Sequence, residues 1–207
     1  MTQGNRAIVL LAAGHGHRFK GHEHKLMQPI SDAGDTVLSR TLRHALESQL
    51  RVVVVASQLI EPVVQRWVAR RDLVVLPATD ARGHAVPQGM GHSIAAGVAA
   101  AGDADGWLIL PGDMPLVQPA TMVAVAEGLA RYPVCFAEYR GRQGHPVGFG
   151  TEMFTELLAL EGDEGARRVV ARFGAQGIPV DDPGVLFDVD TQDDFSRLAA
   201  APCSSPS

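Results

Sequence analysis

The chain has few of the residues that staple small or secreted folds. Only two of its 207 residues are cysteine: Cys135 lies in an apolar run and Cys203 in a Pro/Ser-rich tail, so neither a disulfide framework nor a CxxC metal pattern can be drawn. A reducing, cytoplasmic setting fits best. Aromatic residues make up 5% of the chain, which leaves aliphatic side chains and alanine to fill the core. Cationic excess is also missing, with 18 Lys and Arg against 23 Asp and Glu and a formal net charge of −5. Broad electrostatic binding to nucleic acid needs the opposite balance, so any bound anion must be held locally. No window approaches the ~20 apolar residues that span a bilayer. The run AIVLLAA after Arg6 leads into a basic Gly/His loop rather than a cleavage site, and reads as a strand rather than a signal peptide.

What is present is repetition. AIVLL (Ala7 to Leu11) and VVVVA (Val52 to Ala56) are continuous apolar runs, the pattern of strands buried on both faces. Leu38, Leu42, Ala45, Leu46 and Leu50 recur at helical spacing between them. Ile60, Val63, Val64, Trp67 and Val68 predict another helix. The strand LVVL (Leu73 to Leu76), a helix from about Ser93 to Ala101, the strand WLILP (Trp107 to Pro111), a helix from about Pro119 to Arg131 and the strand VCFAEY follow. Such alternation implies an α/β fold, a three-layer, doubly wound, mostly parallel sheet whose ligands bind beyond the carboxyl ends of the strands. The last quarter departs from this alternation. There GHPVGFG reads as a tight turn, followed by helical patterns around Phe154 to Leu160 and Ala166 to Phe173. LFDVDT and a final helix near Asp193 to Ala200 close the chain. One domain over residues 1–200 is expected, with a frayed tail at 201–207.

The first strand runs into LAAGHGHRFKGHEHK (Leu11 to Lys25), with three glycines, four histidines and three basic residues. Gly14 and Gly16 beside Arg18 and Lys25 have the parts of a triphosphate cradle, since glycine lets backbone N–H groups approach oxygens closely. The loop lacks both GxxxxGK[ST] and the third glycine of GxGxxG, so on its own it is equally a polar connection. LILPGDMP ends a strand at Asp113, which on spacing alone is a helix cap or a metal ligand. In FDVDT, strand alternation turns Asp188 and Asp190 to one side. The same segment also reads as a helix start capped by Asp190 or Thr191.

Taken together, these segments resemble the nucleotidyltransferases with a MobA-like NTP transferase domain. LAAGHGHRF followed by Lys25-Leu26 is similar to LAAGxGxRF...KL. GMGHSIAAG (Gly89 to Gly97) is similar to GMxxS and LPGDMPLV (Leu110 to Val117) to LxxDMPxV. RGRQGHPVGFG, GDEGAR and DVDTQDDF resemble the GHP, GDxGAR and DIDTPEDL blocks in the same order, more like the molybdenum cofactor cytidylyltransferases than the guanylyltransferases. The resemblance implies a Rossmann-like nucleotidyltransferase fold in which the Leu11, Ala12, Ala13, Gly14 and Gly16 backbone meets the nucleotide. Arg18 and Lys25 would bind the triphosphate, with Gly89, Gly91 and Ser93 near the base or sugar. Asp113 and Asp190, with Asp188 as the less favoured partner, would hold Mg²⁺. Arg18, Lys25 and Asp113 would be the catalytic residues. Gly144, His145, Pro146, Asp163 and Arg167 would bind the acceptor, although on spacing alone Arg167 is also an ordinary solvated helix residue.

The implied reaction transfers CMP from CTP to molybdopterin and releases pyrophosphate, with a molybdoenzyme as eventual client and neither nucleic acid nor membrane as partner. Guanylyl transfer, a sugar-phosphate acceptor and a non-catalytic nucleotide-binding accessory protein stay open. So does the donor base, because ATDARGHAVPQGMG before the GMxxS match is longer and more polar than the family pattern. Gln192 replaces the usual proline of DIDTPEDL. His15, His17, His22 and His24 are not demanded by the signature; two HxH pairs suit a transition metal, and the plainer reading is polar loop residues.

Overall fold

The computed structural model describes residues 4–14, 24–30, 34–78, 89–163 and 165–200. Four strands lie parallel: β1 (Arg6–Ala12), β2 (Arg51–Ser57), β3 (Leu73–Leu76) and β4 (Gly106–Pro111). Beyond β4 the sheet turns antiparallel through β6 (Arg142–Gly150) and β5 (Val134–Tyr139), then gains β7 (Gln176–Pro179) parallel to β5. The strand order is β3-β2-β1-β4-β6-β5-β7.

Because β1, β2 and β4 are covered on both faces, their alternate side chains enter two separate cores. Ile8, Leu10, Val52, Val54, Leu108 and Leu110 pack with Leu38, Leu42 and Ala45 of α1 (Val37–Glu47) and with Met122, Val125 and Ala126 of α4 (Pro119–Gly128). On the other face Val9, Val53, Val55, Trp107 and Ile109 meet Ile94 and Val98 of α3 (Met90–Ala100), Leu157 of α5 (Phe154–Leu158) and Val169 of α6 (Arg167–Phe173). These are the three layers expected. The helix α7 (Gln192–Ala200) ends the described chain. No helix of the described residues is long and apolar enough to cross a membrane.

Three expectations need correction. Ile60 to Val68 holds only one helical turn, α2 (Glu61–Val64), which suffices to bury Ile60 and Val64. GHPVGFG is not a turn but the body of the nine-residue strand β6. The turn lies earlier, at Arg140 (φ 50°) and Gly141 (φ 74°), the two positive-φ positions that a two-residue hairpin demands. Glycine misled the reading because it fits this strand sterically: a methyl group at Gly148 would come within 3.1–3.2 Å of Val125 and Cys135. The run LFDVDT, finally, does not join the sheet: Leu186 ends the 3-10 turn Pro183–Leu186, and the residues after it are tied to β4's exit by Val189 N–H donating to the Asp113 carbonyl at 3.0 Å.

Candidate active site

The chain passes from β3 on one side of β1 to β4 on the other, so the strand order reverses between β1 and β4. At that point the loops leaving the two carboxyl ends diverge and leave a crevice. Ala13 and Gly14 follow β1, and Gly112 and Asp113 follow β4. Gly112 N–H donates to the Leu11 carbonyl at 2.9 Å, and a methyl group at Gly112 would lie 2.9 Å from that same oxygen. Thr41, fully buried on α1, donates its hydroxyl to the Gly112 carbonyl at 3.0 Å. Asp113 is thereby held on a short, braced exit from the sheet.

A cavity of about 1350 Å³ opens there. Leu11, Ala13, Gly14, Lys25, Gly89, Ser93, Asp113, Gly144, His145, Asp163, Arg167, Asp188 and Asp190 are among the residues that line it. Most of the residues singled out from the sequence thus converge on one space. Ala12, Gly91 and Pro146 do not line it: Ala12 is fully buried in the core. Gly91 has a packing reason instead, because a methyl group there would sit 2.6 Å from the Glu161 carbonyl, and its N–H donates to the Gly162 carbonyl at 2.8 Å. Gly16 and Arg18, with His15, His17 and His22, lie outside the described residues.

At the floor, Lys25 Nζ donates to Asp113 Oδ2 at 2.7 Å and to Asp190 Oδ1 at 2.6 Å. The side chains are 15%, 19% and 31% exposed, dry enough for charge-assisted bonds to exceed surface pairs in strength. Burial works against the ammonium, but the attraction and hydrogen bonds of Asp113 and Asp190 outweigh it and hold the Lys25 pKa above 10.5. Asp188 faces the same cavity, and burial, reinforced by Asp190 and Asp113, raises its pKa. Burial pushes the His145 imidazole below its usual 6.5, with Arg167 adding to the shift and Asp113 and Asp188 opposing it. Among the described residues no third acidic, histidine or cysteine ligand completes a closed metal cage. Two carboxylates with open positions are nonetheless the donor set that a hard divalent ion uses when phosphate oxygens and water supply the rest.

Two supports escaped the sequence reading. The first is Asp182, 5% exposed, which accepts from Gln118 N–H (2.8 Å), the Thr121 hydroxyl (2.7 Å) and Gly184 N–H (2.9 Å). It caps α4 from a distant segment and ties the stretch after Asp113 to the stretch before Asp188; DDP in the sequence looks only like a turn. The second is His24. Its Nδ1 accepts from Leu26 N–H at 3.3 Å, capping the 3-10 turn Lys25–Met27, and its Nε2 lies 2.7 Å from the Gly14 carbonyl. Accepting at Nδ1 places the proton on Nε2, which donates to Gly14. At the other end, Thr191 and Asp194 cap α7 reciprocally: Thr191 N–H donates to Asp194 at 2.8 Å and Asp194 N–H to the Thr191 hydroxyl at 3.3 Å. Capping therefore falls to Thr191, and the Asp190 carboxylate can meet Lys25.

The family model for the MobA-like NTP transferase domain matches residues 8–177, from β1 through β7. The chain belongs to that family. This MobA-like domain is 29% identical to the purine catabolism protein PucB of Bacillus subtilis (strain 168) over 206 residues, covering 93% of this chain and 95% of PucB. It is 37% identical over 124 residues to the bifunctional protein GlmU of Novosphingobium aromaticivorans, covering 59% of this chain but only 26% of GlmU. Among solved structures, Rv0371c from Mycobacterium tuberculosis H37Rv superposes with a TM-score of 0.76 at 28% identity, over 97% of this chain and 100% of that one. The same protein in complex with manganese superposes at 0.71 with 28% identity, over 96% and 99% of the two chains. The MobA-like domain is thus a nucleotidyltransferase-family fold with its cation and carboxylates gathered at the sheet's switch point.

Proposed function

We propose that the protein is a Mg²⁺-dependent nucleotidyltransferase that transfers CMP from CTP to molybdopterin and releases pyrophosphate. The observation that carries this reading is that Lys25, Asp113 and Asp190 meet in one cavity that Gly14, His145, Asp163 and Arg167 also line. The relation to Rv0371c, solved with manganese at 28% identity, supports a divalent ion. The cytidylyl and molybdopterin assignments rest on the GHP, GDxGAR and DVDT resemblance.

The chemistry asks for positioning rather than a base. A phosphate monoester is largely dianionic at neutral pH, its second pKa being about 6, so its oxygen attacks the α-phosphorus without losing a proton to the protein. The new O–P bond forms as the α–β bridging bond breaks, and pyrophosphate leaves with the charge. The backbone of Leu11, Ala13 and Gly14, with Gly16, would hold the nucleotide, and Lys25 and Arg18 would neutralise the triphosphate as its charge shifts. Asp113 and Asp190 would hold the ion, which when bound would supply charge neutralisation to the phosphates. His145, kept neutral, and Arg167 orient the acceptor, with Arg167 pairing an anionic group.

Pyrophosphate release from CTP, GTP, ATP and UTP, with Mg²⁺ and either molybdopterin or a sugar phosphate, tests the proposal. Release with CTP and molybdopterin alone is the expected result. Release with GTP moves the protein to the guanylyl branch, and no release with any pair removes the catalytic reading.

A further inference from the structure

By resemblance the residues that open α3 belong to the nucleotide, yet in the fold they grip the loop before α6. Gly91 N–H donates to the Gly162 carbonyl at 2.8 Å, and Gly162 N–H donates to His92 Nδ1 at 3.3 Å. Both backbone groups of Gly162 are thus taken by two adjacent residues of α3. Glycines make the approach possible. A methyl group at Gly89 would lie 2.3 Å from the Gly162 carbonyl oxygen and 3.0 Å from Asp163 Oδ1, and one at Gly91 would lie 2.6 Å from the Glu161 carbonyl oxygen. Gly162 itself has φ 63°, a conformation that costs glycine nothing. Gly89, Met90 and Ser93 from the first segment, and Asp163, Ala166 and Arg167 from the second, line the same cavity.

We propose that His92 is a positioning residue for the acceptor: it holds Gly162, and through it Asp163 and Arg167, against α3, so that a residue inside the donor motif sets acceptor binding. The inference rests on the nucleotide-transfer reading above, with Asp163 and Arg167 on the acceptor. Its direction follows from which of the two segments is anchored. Ile94 and Val98 fix α3 to the core at 1% and 0% exposure. Its first turn also closes on itself, since the Ser93 N–H and hydroxyl both donate to the Gly89 carbonyl, at 3.1 and 3.2 Å. Glu161, Gly162 and Asp163 are exposed. Losing the bond to His92 therefore loosens the loop and leaves the helix where it is. A loosened loop must be ordered again when the acceptor binds, which weakens that binding and spares the nucleotide. The ring suits the task, because Nδ1 accepting from Gly162 leaves the proton on Nε2. Asparagine can take over that accepting role and leucine cannot.

The test combines steady-state pyrophosphate release from CTP and molybdopterin, each varied against saturating partner, with hydrogen exchange of the Gly162 amide in the intact protein, read by nuclear magnetic resonance. His92→Leu should raise KM for molybdopterin about fivefold, the effect of one hydrogen bond. KM for CTP and kcat should change by less than about twofold, because the helix keeps its place. The Gly162 amide should exchange at least about fivefold faster. His92→Asn, with an oxygen near the Nδ1 position, should bring KM and exchange back to within about twofold of the unmodified protein. If His92→Leu loses the native near-ultraviolet circular dichroism, His92→Ala serves for the same comparison. A KM for CTP that rises as much as that for molybdopterin would overturn the inference, by making His92 a donor residue. So would an unchanged KM for molybdopterin, or an unchanged Gly162 exchange rate, in His92→Leu. Those outcomes leave nucleotide transfer intact, provided that the unmodified protein releases pyrophosphate. Absence of release by the unmodified protein with every donor and acceptor would overturn the nucleotide-transfer reading and this inference with it.

Discussion

The two halves of the sheet are built by different means. On one side, β1 to β4 are parallel aliphatic runs, with β1, β2 and β4 buried on both faces and β3 half-buried at the edge, and Gly14 and Asp113 sit on the short exits that follow β1 and β4. On the acceptor side, β5, β6 and β7 depend on glycine, whose missing side chains let segments approach at contact distance. A methyl group at Gly144 of β6 would lie 2.4 Å from the Val185 carbonyl, whereas one at Gly14 would meet nothing within 4 Å among the described residues. Glycine therefore does two jobs in one site. Gly14 lines the cavity, and at Gly144 the missing side chain leaves room for Val185.

The largest expected effect lies on the donor side and spares the fold. Asp113→Ala should lower kcat by about a thousandfold or more, the scale of losing a group that stabilises the transferring phosphate, about 4 kcal/mol. Its melting temperature should stay near that of the parent, since the residue is braced through its backbone and not through core packing. Retained pyrophosphate release would take Asp113 out of the metal site.

A paired substitution separates the two glycine roles. Gly144→Ala should cost about 2 kcal/mol, the usual penalty of overpacking, and lower the melting temperature by ~4–8 °C. Because Val185 precedes Asp188 and Asp190 in one segment, turnover should fall with it. Gly14→Ala should leave the melting temperature unchanged and raise KM for the nucleotide alone. If both variants lose stability equally, the distinction between ligand space and packing space is wrong.

The same contrast explains what could be read from the sequence. Continuous runs such as VVVVA announce buried parallel strands because burial on both faces admits little else, and VCFAEY likewise reads correctly as β5. β6 was hidden because GHPVGFG carries the composition of a turn while obeying a packing rule that only its neighbours Val125, Cys135 and Val185 reveal. The site followed the same division. Lys25, Asp113 and Asp190 were named from the family resemblance, since spacing alone left a polar loop and helix caps open, and their meeting required the fold. Asp182 and Thr41 act through backbone carbonyls and N–H groups of distant segments, which leave no local pattern. Gly91, assigned to the nucleotide from its motif, turned out to accommodate Glu161 and Gly162.

His24 tests whether the donor loop is set by its ends. Losing its two hydrogen bonds, each worth about 1 kcal/mol, His24→Ala should raise KM for the nucleotide by roughly thirtyfold while kcat changes little. Asparagine offers an oxygen near the Nδ1 position and restores the cap on Leu26 without reaching Gly14. His24→Asn should therefore recover about half of the loss in free energy. Full recovery would show that the link to Gly14 contributes nothing, and no recovery would remove the cap from the account.

The smallest effect concerns the acceptor side and appears as a pH dependence. His145 is held neutral because burial disfavours its imidazolium more than Asp113 and Asp188 favour it. Its folded pKa is thus depressed below the ordinary 6.5, so the unfolded chain takes up this proton before the folded one does. Stability from the neutral ring is complete above the unfolded value and is lost as the pH falls through the lower folded value. In His145→Gln that component vanishes, and comparing variant with parent cancels the other histidines. Melting temperatures taken from pH 7.5 down to 5 should fall less steeply for His145→Gln than for the parent. Parallel curves would mean that His145 is as well solvated as a surface histidine, and the acceptor wall would lose the neutral ring that sets it apart from the charged floor beneath Lys25.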